Sequence, residues 1–127
     1  MIFDTSSIYC AIRENKSSVL RGHYSVILAR YELGNVLWKE VMLRKTYSHH
    51  ESELLIACIE KVLAGMFLLH PESTLVFKTA VHSGLTYYDA SYVYAAQSLK
   101  LPLITEDNKI KEKAGKMIKV QTLSEIL

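Results

Sequence analysis

Cysteine is scarce in this chain. Cys10 and Cys58 are its only two, far apart and without the spacing of a metal-ligand pair or a redox motif. A cysteine-based metal centre is thereby excluded, as is a disulfide scaffold. Both thiols fall within apolar helical patterns and read as buried free cysteines of a protein kept in a reducing cytoplasm. Long apolar runs are also missing: none approaches the length of a membrane span. Met1-Ile2-Phe3-Asp4 enters structure directly, with no signal-peptide pattern, so no membrane partner is expected. Excess charge of one sign is lacking too, since a formal net charge of +2 does not by itself indicate a nucleic-acid partner. Five lysines crowd between Lys109 and Lys119, where either a polyanion docks or a helix face is simply solvated. There is no internal repeat, linker or low-complexity segment.

What is present is enough for a core. With 127 residues, half of them hydrophobic and 22% charged, the chain reads as one globular domain over residues 1–127. Met1-Ile2-Phe3 is a short apolar strand ending in Asp4, and Thr5-Ser6-Ser7 supplies N-cap candidates for the helix that follows. His23-Tyr24-Ser25 reads as a very short strand, with Ser25 capping a long helix from about Val26 to Arg44. On that helix Leu28, Ala29, Leu33, Val36, Leu37 and Val41 fill one apolar sector. Glu32 and Glu40 both intrude on it. Glu40 has Arg44 four residues on, the favourable order for a helical ion pair, whereas Glu32 has Val36 there. An acid in an apolar sector needs a cation, a hydrogen-bond network or a shifted pKa, which makes Glu32 the candidate site residue.

Ser48 and Glu51 have capping-box spacing and open a helix with Leu54, Leu55, Cys58, Ile59, Val62 and Leu63 on its inner face. The adjacent His49 and His50 point about 100° apart on a helix and make a poor metal pair. Met66 to Leu69 is an apolar strand, and Pro71 begins a helix that Gly84 ends. Thr86 then opens a tyrosine-rich helix to about Leu99, with Asp89 in its first turn and no basic side chain at the next. Tyr87, Tyr88, Tyr92 and Tyr94 read as residues packed at the rim of the core, with base stacking as the alternative. Leu101 to Thr105 is a further strand ending in Glu106-Asp107, repeating the pattern at Asp4. Ile118-Lys119-Val120 is a last strand, and Thr122 with Glu125 boxes a short terminal helix.

Helices alternating with four or five short strands predict a parallel sheet covered by helices, with the strand ends on one edge. If the two acid-terminated strands are neighbours, Asp4 and Asp107 converge there, and Glu32 and Asp89 close a cluster. Carboxylates alone, with no cysteine or well-placed histidine, favour Mg²⁺ or Mn²⁺ and phosphodiester hydrolysis. A receiver or phosphatase site is disfavoured, because position 6 is serine where such phosphatases need a second acid, and no lysine is suitably placed for a receiver.

Four segments carry a resemblance over essentially the whole chain. They are Met1-Ile2-Phe3-Asp4-Thr5-Ser6, Tyr31-Glu32-Leu33-Gly34-Asn35-Val36-Leu37, Thr86-Tyr87-Tyr88-Asp89-Ala90 and Leu103-Ile104-Thr105-Glu106-Asp107. In this order and spacing they resemble PIN-domain proteins of the VapC toxin type, a family of metal-dependent ribonucleases. The resemblance implies a three-layer α/β/α sandwich on a short, mostly parallel sheet. It implies an acidic pocket in which Asp4 and Asp89 bind Mg²⁺ or Mn²⁺ most directly. Glu32 and Asp107 complete the shell, directly or through water, while Thr5, Ser6 and Thr105 support the carboxylates. Glu106 stands beside Asp107, and the family pattern favours Asp107 as the fourth acid. Ile110 stands where many relatives have phenylalanine, a packing change. The implied activity is endonucleolytic RNA hydrolysis by in-line attack of activated water, leaving 5′-phosphate and 3′-hydroxyl ends. The implied partners are an antitoxin that inserts a segment across the pocket and a second copy in a homodimer. The alternative is a catalytically silent module on the same fold that binds RNA or protein.

Overall fold

The computed structural model describes all residues, 1–127. Five strands form one sheet, β1 (Ile2–Phe3), β2 (Tyr24–Val26), β3 (Phe67–Leu69), β4 (Leu103–Ile104) and β5 (Val120–Gln121), in the order β3-β2-β1-β4-β5. Every pairing is parallel. Seven helices connect and cover them: α1 (Thr5–Arg13), α2 (Leu28–Met42), α3 (His49–Ala64), α4 (Ser73–Ser83), α5 (Tyr87–Leu99), α6 (Asn108–Ala114) and α7 (Leu123–Ile126). A 3-10 turn at Ser17–Leu20 precedes β2. The sheet is so short that its strands are apolar throughout the centre: Ile2, Phe3, Leu103 and Ile104 are fully buried. Parallel strands enclosed on both faces require this. Against them lie Ile8, Leu33, Leu63, Tyr92, Val93 and Leu123, drawn from five different helices. α5 packs on β1, β2 and β4 and carries α4 outside it, while α1 packs on β1, α2 and α7.

Most helix boundaries follow from local chemistry. The Ser48–Glu51 and Thr122–Glu125 capping boxes both form. Thr86 caps α5 by accepting from the Asp89 amide at 3.1 Å. Gly84 ends α4 at φ 73°, where a side chain would be strained.

Several expectations are corrected. Ser25 is not a helix cap: it lies buried within β2, and its hydroxyl donates to the Phe3 carbonyl at 2.7 Å. β2 continues its ladder through the Ile27 amide to the Leu69 carbonyl, so α2 begins only at Leu28 and without a side-chain cap. α4 begins at Ser73, after Pro71 and Glu72 have led the chain out of β3. The last strand is Val120–Gln121, displaced toward the C-terminus by its register with Leu103 and Ile104. Leu54 is 61% exposed, because the α2–α3 hairpin carries a wider apolar sector than the fold covers; Trp38, Met42 and Leu43 are exposed near the end of α2.

Candidate active site

The strand order reverses between β1 and β4. β2 and β3 extend the sheet to one side of β1, and the chain then crosses back to place β4 on the other. Open parallel sheets bind ligands at such a switch point, beyond the carboxyl ends of the strands. Both strands here run directly into acids. Ile2 pairs with Leu103 and Phe3 with Ile104, so Asp4 stands level with Thr105. Asp4, rather than Thr5, Ser6 or Ser7, caps α1, accepting from the Ser7 amide at 2.9 Å. Asp107 caps α6 in the same way, accepting from the Lys109 amide at 2.9 Å. Each acid thus sits at the positive end of a helix, where a carboxylate is favoured.

A cavity of about 380 Å³ opens over these ends, and Asp4, Glu32, Asp89 and Asp107 all line it. Thr5 and Ser6 line it as well, together with Tyr9, Val36, Arg44 and Tyr92. Thr105 lies beneath, buried, donating to Asp4 Oδ2 and accepting from the Asp107 amide at 3.0 Å. The Ser6 hydroxyl donates to Asp4 Oδ1 at 2.7 Å. Three hydrogen-bonding groups therefore hold the Asp4 carboxylate, and none is a cation.

Glu32 meets the requirement that its place on α2 imposed. Its Oε1 accepts from the Thr5 hydroxyl at 2.8 Å and from the Tyr92 hydroxyl at 2.7 Å. Its Oε2 makes no protein hydrogen bond. Tyr92 is 1% exposed, so its hydroxyl needs a buried acceptor, and Glu32 provides it. Sequence reasoning grouped Tyr92 with three other tyrosines; the available signal was its position one helical turn after Asp89, on the same face. Glu40 does pair with Arg44, and the Thr46 hydroxyl and that guanidinium hold its carboxyl below the usual range. Arg44 also lines the acidic cavity, which its role as a helical partner did not suggest. Glu106 points elsewhere: its Oε1 accepts from the Leu123 amide at 2.7 Å and helps to start α7.

The electrostatics are those of carboxylates without ion-pair partners. None of the four cavity acids forms an ion pair. Burial pushes Asp4 up to about 6 against the pull of Thr105, Ser7 and Ser6. Burial raises Asp89 too, and the nearby Asp107 and Glu32 add to it; the Thr86 hydroxyl and Lys109 offset this only in part. No three of the acids stand close enough to form a ready-made ligand set. Their chemistry nevertheless fits a hard divalent cation, with oxygen donors only and surplus negative charge. Mg²⁺ in particular keeps several of its waters and takes one or two carboxylates directly.

A parallel α/β sandwich with acids gathered over the β1–β4 switch point defines the chain structurally as PIN-like. No family model matches the sequence. A curated relative, Exonuclease VapC9 of Pyrobaculum aerophilum, is 37% identical over 125 residues, spanning 96% of this chain and 91% of the relative. The crystal structure of PAE2754, from the same organism, aligns with a TM-score of 0.83 at 29% identity, over 98% of this chain and 91% of that one. The chain belongs to the VapC-type family of PIN-domain proteins.

Proposed function

We propose that the protein is a nuclease that hydrolyses RNA internally with Mg²⁺ or Mn²⁺, acting as the toxin of a toxin–antitoxin pair. The observation that carries this reading is the gathering of Asp4, Glu32, Asp89 and Asp107 on one cavity with no ion pair to any of them. Burial makes the Asp4 carboxylate costly, and burial with the neighbouring Asp107 and Glu32 does the same for Asp89; a divalent cation is the species that removes that cost. Asp4 and Asp89 hold it most directly, with Glu32 and Asp107 acting directly or through water. When bound, such an ion activates water and neutralises charge on a phosphoryl group.

The chain's own residues do the positioning. Thr105, Ser6 and the Ser7 amide orient the Asp4 carboxylate, and Thr5 with Tyr92 fixes one oxygen of Glu32 so that the other faces the cavity. The name of the curated relative specifies an exonuclease. Internal cleavage is the reading taken here because the acidic cavity adjoins further clefts that could hold the strand beyond it: it shares Thr5, Glu32 and Val36 with one, and Ser6 and Tyr9 with another.

Cys10 and Cys58, expected to be buried, are only partly so; as free thiols they accord with a reducing cytoplasm, and no helix is long and apolar enough to cross a membrane. An antitoxin segment bearing an arginine suits the acidic cavity. Exposed Trp38, Met42 and Leu43 on and just after α2, and Leu54 on α3, offer apolar surface for that partner or for a second copy.

The test is cleavage of a linear and a covalently closed circular RNA with Mg²⁺, Mn²⁺ or chelator. The expected result is metal-dependent cutting of both, lost in Asp89→Asn while the melting temperature is kept. Cutting that survives the chelator, or that Asp89→Asn performs at the parent rate, refutes the reading. Cutting of the linear RNA alone makes the enzyme an exonuclease, and metal-independent RNA binding without cutting makes it a binding module.

A further inference from the structure

Continuous with the acidic cavity lies a second cleft, also of about 380 Å³, lined by Tyr31, Asn35 and Lys39 of α2 and by Tyr88 of α5. Thr5, Glu32 and Val36 form the wall the two share. Tyr31 is 72% exposed and Tyr88 60%, in contrast to the buried Tyr92 one turn beyond Tyr88. Neither ring stacks on another aromatic of the chain. Lys39 makes no ion pair, whereas Arg44, just beyond the end of that helix, is engaged by Glu40. Of the tyrosines of α5, the fold thus uses Tyr92 and leaves Tyr88 at the rim of this cleft.

The geometry points to an unpaired-nucleobase subsite, in which Tyr31 and Tyr88 stack on the base of a nucleotide next to the scissile phosphate. Asn35 offers an amide to the base edge, and Lys39 meets a flanking phosphate. The inference rests on the nuclease reading and adds to it the side chains that would meet the base, which must be unpaired at this position. Bases inside a duplex have no free face for a side chain, whereas a splayed base stacks on any exposed ring. Leu28 and Val36 add apolar wall, but a free lysine, an amide and the Glu32 carboxylate stand among the rings, which suits a base with its flanking phosphate better than a wholly apolar protein segment.

The experiment compares Tyr31→Leu, Tyr88→Leu and the double variant with the two Tyr→Phe variants. Binding of a fluorescein-labelled mixed-sequence oligoribonucleotide of about ten nucleotides, within the usual site size, is read by anisotropy in chelator. The same strand is also tested as a duplex. Each leucine substitution should weaken single-strand binding about tenfold, the effect of losing one stacked base. KM should rise by a similar factor with kcat nearly unchanged, and the phenylalanine variants should match the parent. A single abasic nucleotide should reproduce the loss in the parent and add nothing in the double leucine variant.

Leucine variants that bind and cut single strands as the parent does would overturn the subsite and leave the cleft to a protein partner. A parent that binds duplex as well as single strand overturns it too. A parent that binds through the tyrosines but cuts nothing with any divalent ion refutes the ribonuclease reading alone.

Discussion

Asp4→Asn should stabilise the metal-free protein at neutral pH while abolishing its response to metal. Asp4 is 4% exposed, and burial raises its carboxyl from 3.8 to about 6. The folded chain therefore binds this proton more tightly than the unfolded chain. The group's contribution to stability falls as pH rises from about 4 to about 6, and the penalty is complete above that. At about 1.36 kcal/mol per pKa unit the penalty is about 3 kcal/mol. Asparagine keeps an oxygen for the Ser6 hydroxyl and Ser7 amide, but turns an amide group toward Thr105, whose hydroxyl must rotate to accept. That rearrangement costs about 1 kcal/mol. A net gain of about 2 kcal/mol is expected at pH 8, or about 6–10 °C in melting temperature for a chain of this size. At pH 4 the gain should vanish or change sign.

The assay is urea denaturation of both proteins in chelator between pH 4 and 8, read as the difference curve. Taking the difference removes the other titrating groups, Glu40 among them. Added Mg²⁺ should raise the melting temperature of the parent and not of the variant. A variant less stable than the parent at pH 8 in chelator would refute the assignment of Asp4 as a buried carboxylate with no cation to balance it.

Other substitutions separate support from chemistry. Tyr92→Phe removes one of the two donors to Glu32 Oε1; it should cost about 1–3 kcal/mol in denaturant titration and weaken metal affinity about tenfold or more by calorimetry. Asp107→Asn should keep the α6 cap, leaving the melting temperature unchanged, and lose cleavage. Glu106→Ala should do the reverse, costing about 1 kcal/mol at the start of α7 and cutting at the parent rate. Ser25→Ala strands the buried Phe3 carbonyl and should cost about 1–2 kcal/mol by thermal denaturation, with activity intact below the transition.

Local chemistry carried much of this structure in plain view. Ser48 with Glu51, Thr122 with Glu125, Thr86 ahead of α5 and Glu40 with Arg44 are each fixed within one helical turn, so their partners are visible in the sequence. Apolar runs ending in acids showed that two strands deliver carboxylates to a sheet edge, and an acid without a helical cation marked Glu32. What only the tertiary structure decided depends on partners far along the chain. Ser25 looks like a cap until β1 supplies a carbonyl beside it. Tyr92 and Tyr88 look alike until packing buries one against Glu32 and leaves the other at the cleft. Asp4 and Asp107 share a cavity because β4 pairs with β1 rather than β3, a choice made by the burial of Ile2, Phe3, Leu103 and Ile104 together. The residue types and their local partners come from short-range sterics and hydrogen bonding; their convergence comes from long-range burial, which no single segment encodes.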